Sequence, residues 1–80
     1  MADTLGWVYY KKGLYDSAIA EFKASLAKAP ENPTIMYHLG LAYAKKGETD
    51  KARAELERAL RLGDKFDGAG EAKKALAELK

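Results

Sequence analysis

An all-α fold is what this sequence predicts, and three observations predict it. The chain matches itself at a shift of 34 residues, a length that suits a two-helix unit. Within each copy, apolar residues recur at the i, i+3, i+4, i+7 spacing of a helix face. No stretch shows the strict alternation of a half-buried strand. The shift carries Leu5-Gly6 onto Leu39-Gly40, Tyr9 onto Tyr43, Lys11-Lys12-Gly13 onto Lys45-Lys46-Gly47, and Asp16 onto Asp50. It also carries Ala18 onto Ala52, Glu21 onto Glu55 and Leu26 onto Leu60.

Each copy reads as helix, short turn, helix. The first helix carries Leu5, Gly6 and Tyr9 and stops at Gly13, because only glycine enters the left-handed conformation of a helix end without strain. The second has Ala18, Phe22, Ser25 and Leu26 on one stripe. Ala29-Pro30-Glu31-Asn32-Pro33 then breaks the chain, since two prolines forbid one continuous helix. Pro33 suits the first turn of the third helix, where its missing N–H costs nothing. That helix aligns Met36, Leu39, Gly40 and Tyr43 and stops at Gly47. The fourth aligns Ala52, Leu56, Ala59 and Leu60, with Glu57 and Arg61 expected to pair at i,i+4 on the other side. After Gly63-Asp64-Lys65-Phe66-Asp67-Gly68, a fifth helix carries Ala72, Ala75, Leu76 and Leu79. The reading is one domain over residues 1–80: a first unit at about 2–32, a second at about 33–64, and a terminal helix at about 68–79. Small residues (Gly6, Gly40, Ala18, Ala52) let paired helices approach, and large ones (Tyr9, Tyr43, Phe22, Leu56) fill the gaps. Neither helix of a unit buries its stripe alone, so the units must stack.

Size and charge narrow the function. A chain of 80 residues buries only about 60% of its unfolded surface, and the absence of cysteine removes any disulfide or thiolate metal support. Fourteen basic against twelve acidic residues, spread along the chain, argue against a nucleic-acid or membrane-surface protein. Met1-Ala2-Asp3-Thr4 lacks the basic start and apolar core of a signal peptide, and no apolar run approaches the ~20 residues of a membrane span. The chain itself reads as soluble, and its compartment is not written in it.

Catalytic chemistry finds no foothold. His38 is the sole histidine and has no second histidine or cysteine at ligand spacing, so neither a metal nor a cofactor is expected. Asp16 and Asp50 stand near the starts of second helices, where a carboxylate satisfies free N–H groups and the helix dipole. Gly68-Ala69-Gly70 follows no strand and is read as a flexible joint rather than a dinucleotide fingerprint. Ser17 and Ser25 have no histidine at motif distance. The lysine pairs 11–12, 45–46 and 73–74 form no continuous basic stripe.

Met36-Tyr37-His38-Leu39-Gly40-Leu41-Ala42-Tyr43, followed by Gly47, Ala52, Leu56 and Ala59, resembles the tetratricopeptide repeat. So does Leu5-Gly6-Trp7-Val8-Tyr9-Tyr10, followed by Gly13, Tyr15, Ala18, Phe22 and Pro30. The resemblance implies an α-α superhelix of right-handed sense, here two helix-turn-helix repeats plus a C-terminal capping helix. It departs from the pattern at Asp64, where a closing proline is usual, and in the opening residues of the first unit. The sequence is also similar to the closing repeats of long bacterial proteins of this family, some of them from secretion and extracellular-polysaccharide systems. On that likeness it is expected to be the C-terminal end of such a protein.

In this family the first helix of each unit lines the concave face, which makes the non-core positions of those helices the expected binding residues: Asp3, Trp7, Tyr10 and Lys11, then Tyr37, His38, Leu41 and Lys45, with Thr34 and Ala44 beside them. Trp7 and Leu41 correspond under the repeat shift, as do Asp3 and Tyr37. The expected partner is another protein or peptide whose apolar or amphipathic segment enters this groove, with Lys11 and Lys45 steering an acidic flank. Trp7 and Tyr10 are open to a second reading as rings packed inside the array. The carboxylate clamp of chaperone-binding relatives is not expected, since Asp3, Trp7 and His38 stand where it needs donors. The alternative function is a self-association scaffold, through the incompletely covered first helix or through helices exchanged across Pro30–Pro33.

Overall fold

The computed structural model describes residues 4–63 and 65–79; Asp3, a predicted binding residue, and Asp64, which replaces the closing proline, lie outside them. Five helices follow one another: α1 (Thr4–Lys11), α2 (Tyr15–Lys28), α3 (Pro33–Lys45), α4 (Thr49–Leu62) and α5 (Ala69–Glu78), with no strand among the described residues. α1 packs on α2 and α3 on α4, α2 joins the two pairs through α3, and α5 rests on α4 with a smaller footing on α3.

Glycine ends the first helix of each pair where the sequence predicts it. Gly13 and Gly47 sit at φ +80° and +81°, left-handed values that a side chain resists. The chain then turns back identically: the Leu14 N–H donates to the Tyr9 carbonyl and the Glu48 N–H to the Tyr43 carbonyl, both at 2.9 Å. α3 opens with Pro33 behind an Asn32 cap whose side-chain oxygen accepts from the N–H groups of Thr34 (3.0 Å) and Ile35 (3.2 Å). Asparagine at this position removes two orphan donors of the first turn.

Three sequence expectations are corrected. Asp16 and Asp50 are not caps: Leu14 and Glu48 hold the cap positions and make no side-chain cap bond. Both aspartates stand in the first helical turn, where they still favour the dipole, but their side chains turn to cations, Asp16 to Lys46 and Asp50 to Arg53 at 3.3 Å. Among the described residues Glu57 and Arg61 form no ion pair; the neighbouring Glu55 and Arg58, three apart, pair at 3.2 Å. Gly68 is a fitted seat rather than a loose joint. It lies at φ +94°, and a Cβ there would stand 2.6 Å from the Tyr37 ring, while Gly70 faces open space.

The core follows the predicted stripes. Ala18, Phe22, Met36, Leu39, Tyr43, Ala52, Leu56 and Ala59 are buried, joined by Ile19, Ile35 and Ala42. Leu26 and Leu60 are half-buried, as are Ala75 and Leu76 of the last helix and Leu79 just past its end; in α5 only Ala69 and Ala72 are buried. Close approach within each pair depends on glycine. A Cβ on Gly6 would meet the Phe22 ring at 2.6 Å, and one on Gly40 would meet Leu56 at 2.8 Å. The two contacts are related by the repeat shift, and each fits one large side chain of the second helix against bare backbone of the first.

Candidate partner-binding face

α1 carries Trp7 and Tyr10 three residues apart, so both rings project from one face of the helix. They stack at 4.8 Å with 4° between their planes. α3 runs beside them and contributes His38, stacked on Trp7 at 4.1 Å and 22°. Tyr37 lies 5.3 Å from His38. Phe22 lies 5.7 Å from the imidazole and belongs to the buried core, so the row of rings is anchored to it. The Lys11 ammonium, one turn on from Trp7, lies 4.9 Å from the indole centroid, within cation–π range.

Five of the eight predicted residues are thus brought together: Trp7, Tyr10, Lys11, Tyr37 and His38. Leu41 and Lys45 continue one row of α3, at i+4 and i+8 from Tyr37; Leu41 is half-buried and Lys45 is exposed. Thr34 and Ala44, read beside them, are half-buried.

Two rings extend the row beyond the predicted set. Tyr15, the first residue of α2, meets Tyr10 edge-on at 5.6 Å. Phe66, from the link before α5, approaches Tyr37 at 6.2 Å. Repeat comparison gives no prompt for either, since Tyr15 falls opposite Thr49 and Phe66 lies where the repeat has stopped. The available signal was an aromatic residue flanked by charges between Gly63 and Gly68, too polar a setting to place it in a core. Six rings therefore run in the order Tyr15, Tyr10, Trp7, His38, Tyr37, Phe66, all half-buried.

The setting favours neutral phenols. Burial pushes the Tyr10 hydroxyl above the usual tyrosine range, with the nearby Tyr15 adding to it. Burial raises Tyr37 as well, with further contributions from Glu71 and Tyr10. Trp7 and Tyr10 also pack against the core cluster, so they serve as structural rings and as surface together. Because Tyr10, Trp7 and His38 stack on one another, the middle of the row offers ring edges, the Tyr10 hydroxyl and the Lys11 ammonium rather than open ring faces. Among the described residues, no group of three or more histidine, aspartate or glutamate side chains could hold a metal ion. Among the described residues, too, no helix is long and apolar enough to cross a membrane.

Comparison with known proteins agrees with the geometry. The family model described as a tetratricopeptide repeat matches residues 4–79. Tetratricopeptide repeat protein 13 of Homo sapiens is 40% identical over 52 residues, which cover 65% of this chain and 6% of that protein. With repeated hairpins, glycine-keyed helix pairs and a family match spanning every described residue, this chain belongs to the tetratricopeptide repeat family.

Proposed function

We propose that the chain is a protein-interaction module that receives a peptide or helix of a partner protein along the aromatic row. Tetratricopeptide repeats are in general protein–protein interaction modules, and the family is typically a scaffold rather than an enzyme. On this reading Trp7, Tyr10, Tyr37, His38 and Leu41 meet the apolar side of the segment, and Lys11 and Lys45 meet its acidic flank. The observation that carries it is the unbroken run of six half-buried rings from the first helix pair through the second to the link before α5. Tryptophan and tyrosine bury much area at little cost in side-chain freedom, which is why they dominate interface hot spots. The stack of Tyr10, Trp7 and His38 also holds these rings in place before a ligand arrives, so binding loses less entropy.

Trp7 is the single tryptophan and reports on the row directly. Peptides selected on the immobilised full chain from a random display library are expected to shift its emission. Their affinity is expected to fall about tenfold or more in Leu41→Ala and to weaken with salt through Lys11 and Lys45. Selected peptides that leave Trp7 emission unchanged and bind Trp7→Ala equally well would overturn the proposal.

Self-association is the second reading, and one contrast favours it. Leu5 and Val8 are 48% and 42% exposed, whereas their counterparts under the repeat shift, Leu39 and Ala42, are 2% and 0% exposed. Leu14, at the first turn, is 49% exposed. Covering this surface with a second copy predicts a mass that rises with concentration in light scattering and returns to monomer in Leu5→Glu. A monomer at every concentration removes this reading.

A further inference from the structure

Away from the aromatic row, and sharing no residue with it, an open cleft of about 390 Å³ is lined by Pro30, Glu31, Met36, Arg58, Arg61 and Leu62. Its volume lies in the roughly 300–1,000 Å³ range of ligand-binding sites. Met36 is 1% exposed, while Leu62 keeps 46% of its surface open. Glu55 accepts from Arg58 Nη1 with both carboxylate oxygens, at 3.2 and 3.4 Å, and so fixes a guanidinium whose side chain remains 46% exposed. Arg61 is exposed, and no described carboxylate lies within ion-pair distance of it.

The repeat does not require these arginines. Under the 34-residue shift, Arg58, Arg61 and Leu62 correspond to Ala24, Ala27 and Lys28, on a helix that packs in the same way. Nor does the helix dipole account for both. α1, α2 and α3 each place one lysine in the last turn, and Arg61 alone fills that role in α4. What remains is a held guanidinium and a second one a turn away, beside an apolar wall.

We propose that this cleft binds a carboxylate side chain of a partner protein, together with an aliphatic residue next to it in the partner's sequence. The arginines take the carboxylate, because the guanidinium fork matches its two oxygens. The aliphatic neighbour rests on Pro30, Met36 and Leu62. Glu31 sets the charge limit: it lines the same cleft, so a polyanion would crowd it, whereas one carboxylate held at the arginines does not.

N-acetyl-leucine carries both halves of this ligand in one small molecule, and its titration into the ¹⁵N-labelled full chain tests the proposal. Up to about 50 mM, enough to saturate a millimolar site, it is expected to shift the amides of Glu31, Met36, Arg58, Arg61 and Leu62 together. N-acetyl-leucinamide, lacking the charge, and acetate, lacking the aliphatic group, are each expected to bind at least about fivefold more weakly. Arg61→Ala, at an exposed position, and Leu62→Ser are expected to weaken N-acetyl-leucine by a similar factor, with thermal melting confirming that each variant folds. Equal shifts from the acid and the amide would overturn the proposal, as would shifts centred on Trp7 and Tyr37 or no shift at all. Tripolyphosphate binding more tightly than N-acetyl-leucine would also overturn it, leaving a simple anion patch.

Discussion

At the scale of single residues, burial separates what folds the chain from what faces outward. Leu39 and Leu56 have almost no exposed surface, so Leu39→Ala and Leu56→Ala should each cost about 2–5 kcal/mol in urea denaturation. Trp7→Ala and Leu41→Ala remove half-buried side chains and should cost less while weakening peptide binding; equal losses of stability at all four positions would contradict that division. Gly40→Ala drives a methyl into the Leu56 side chain and should cost about 1–3 kcal/mol. Leu56→Ala opens the space that methyl needs, so the double variant should lose less than the sum of the two singles. Under an independent-sites alternative, the two losses would simply add.

At the scale of helices, ends and charges were read unequally well. The glycine stops were legible because a left-handed φ has few tenants, and Gly47→Ala, which meets nothing within 4 Å, should still cost more than about 1 kcal/mol through backbone strain alone. Pro33 was legible for the same kind of reason. The Asn32 cap was hidden in a stretch that announced only a break, and Asn32→Ala should cost about 1 kcal/mol. Ion pairs were the least legible. Asp16 looked like a local cap but reaches Lys46, 30 positions away in sequence, a contact that no local spacing rule contains. That bond raises the Lys46 ammonium pKa, while burial raises the phenols of Tyr10 and Tyr37. All three shifts have one sign. Above about pH 10 the unfolded chain releases protons that the folded chain retains, so the stability these groups confer is whole below that pH and is lost as pH rises. Denaturant midpoints should therefore fall on the alkaline side, and fall less steeply in Tyr37→Phe; a flat profile would contradict the shifts.

At the scale of the whole molecule, the predicted two pairs and a last helix are found, but they are not equally secured. α3 and α4 supply most of the buried side chains, whereas α5 fully buries only Ala69 and Ala72. Hydrogen exchange should find the α5 amides opening first, well before those of α3. The candidate binding face was legible where it lay on α1 and α3, because the family resemblance assigns the concave face to the first helix of each unit and helical spacing then leaves Trp7, Tyr10, Tyr37 and His38 off the core stripe. It was illegible at its two ends, where Tyr15 and Phe66 join through a helix start and a link that have no counterpart in the other unit. The cleft at Arg58 and Arg61 was missed for a related reason: comparing copies draws the eye to what they share, and the arginines are where they differ. The glycine contacts carry a consequence for how such a chain can grow. Gly6 meets Phe22 and Gly40 meets Leu56, each pair sixteen residues apart and contained in one unit. A duplication or deletion of one whole period adds or removes both partners of such a pair together and leaves the other pair intact. A change of length between Gly6 and Phe22, or between Gly40 and Leu56, would part a bulky side chain from the bare backbone shaped to receive it, so the sixteen-residue spacing inside each unit is held by the packing itself.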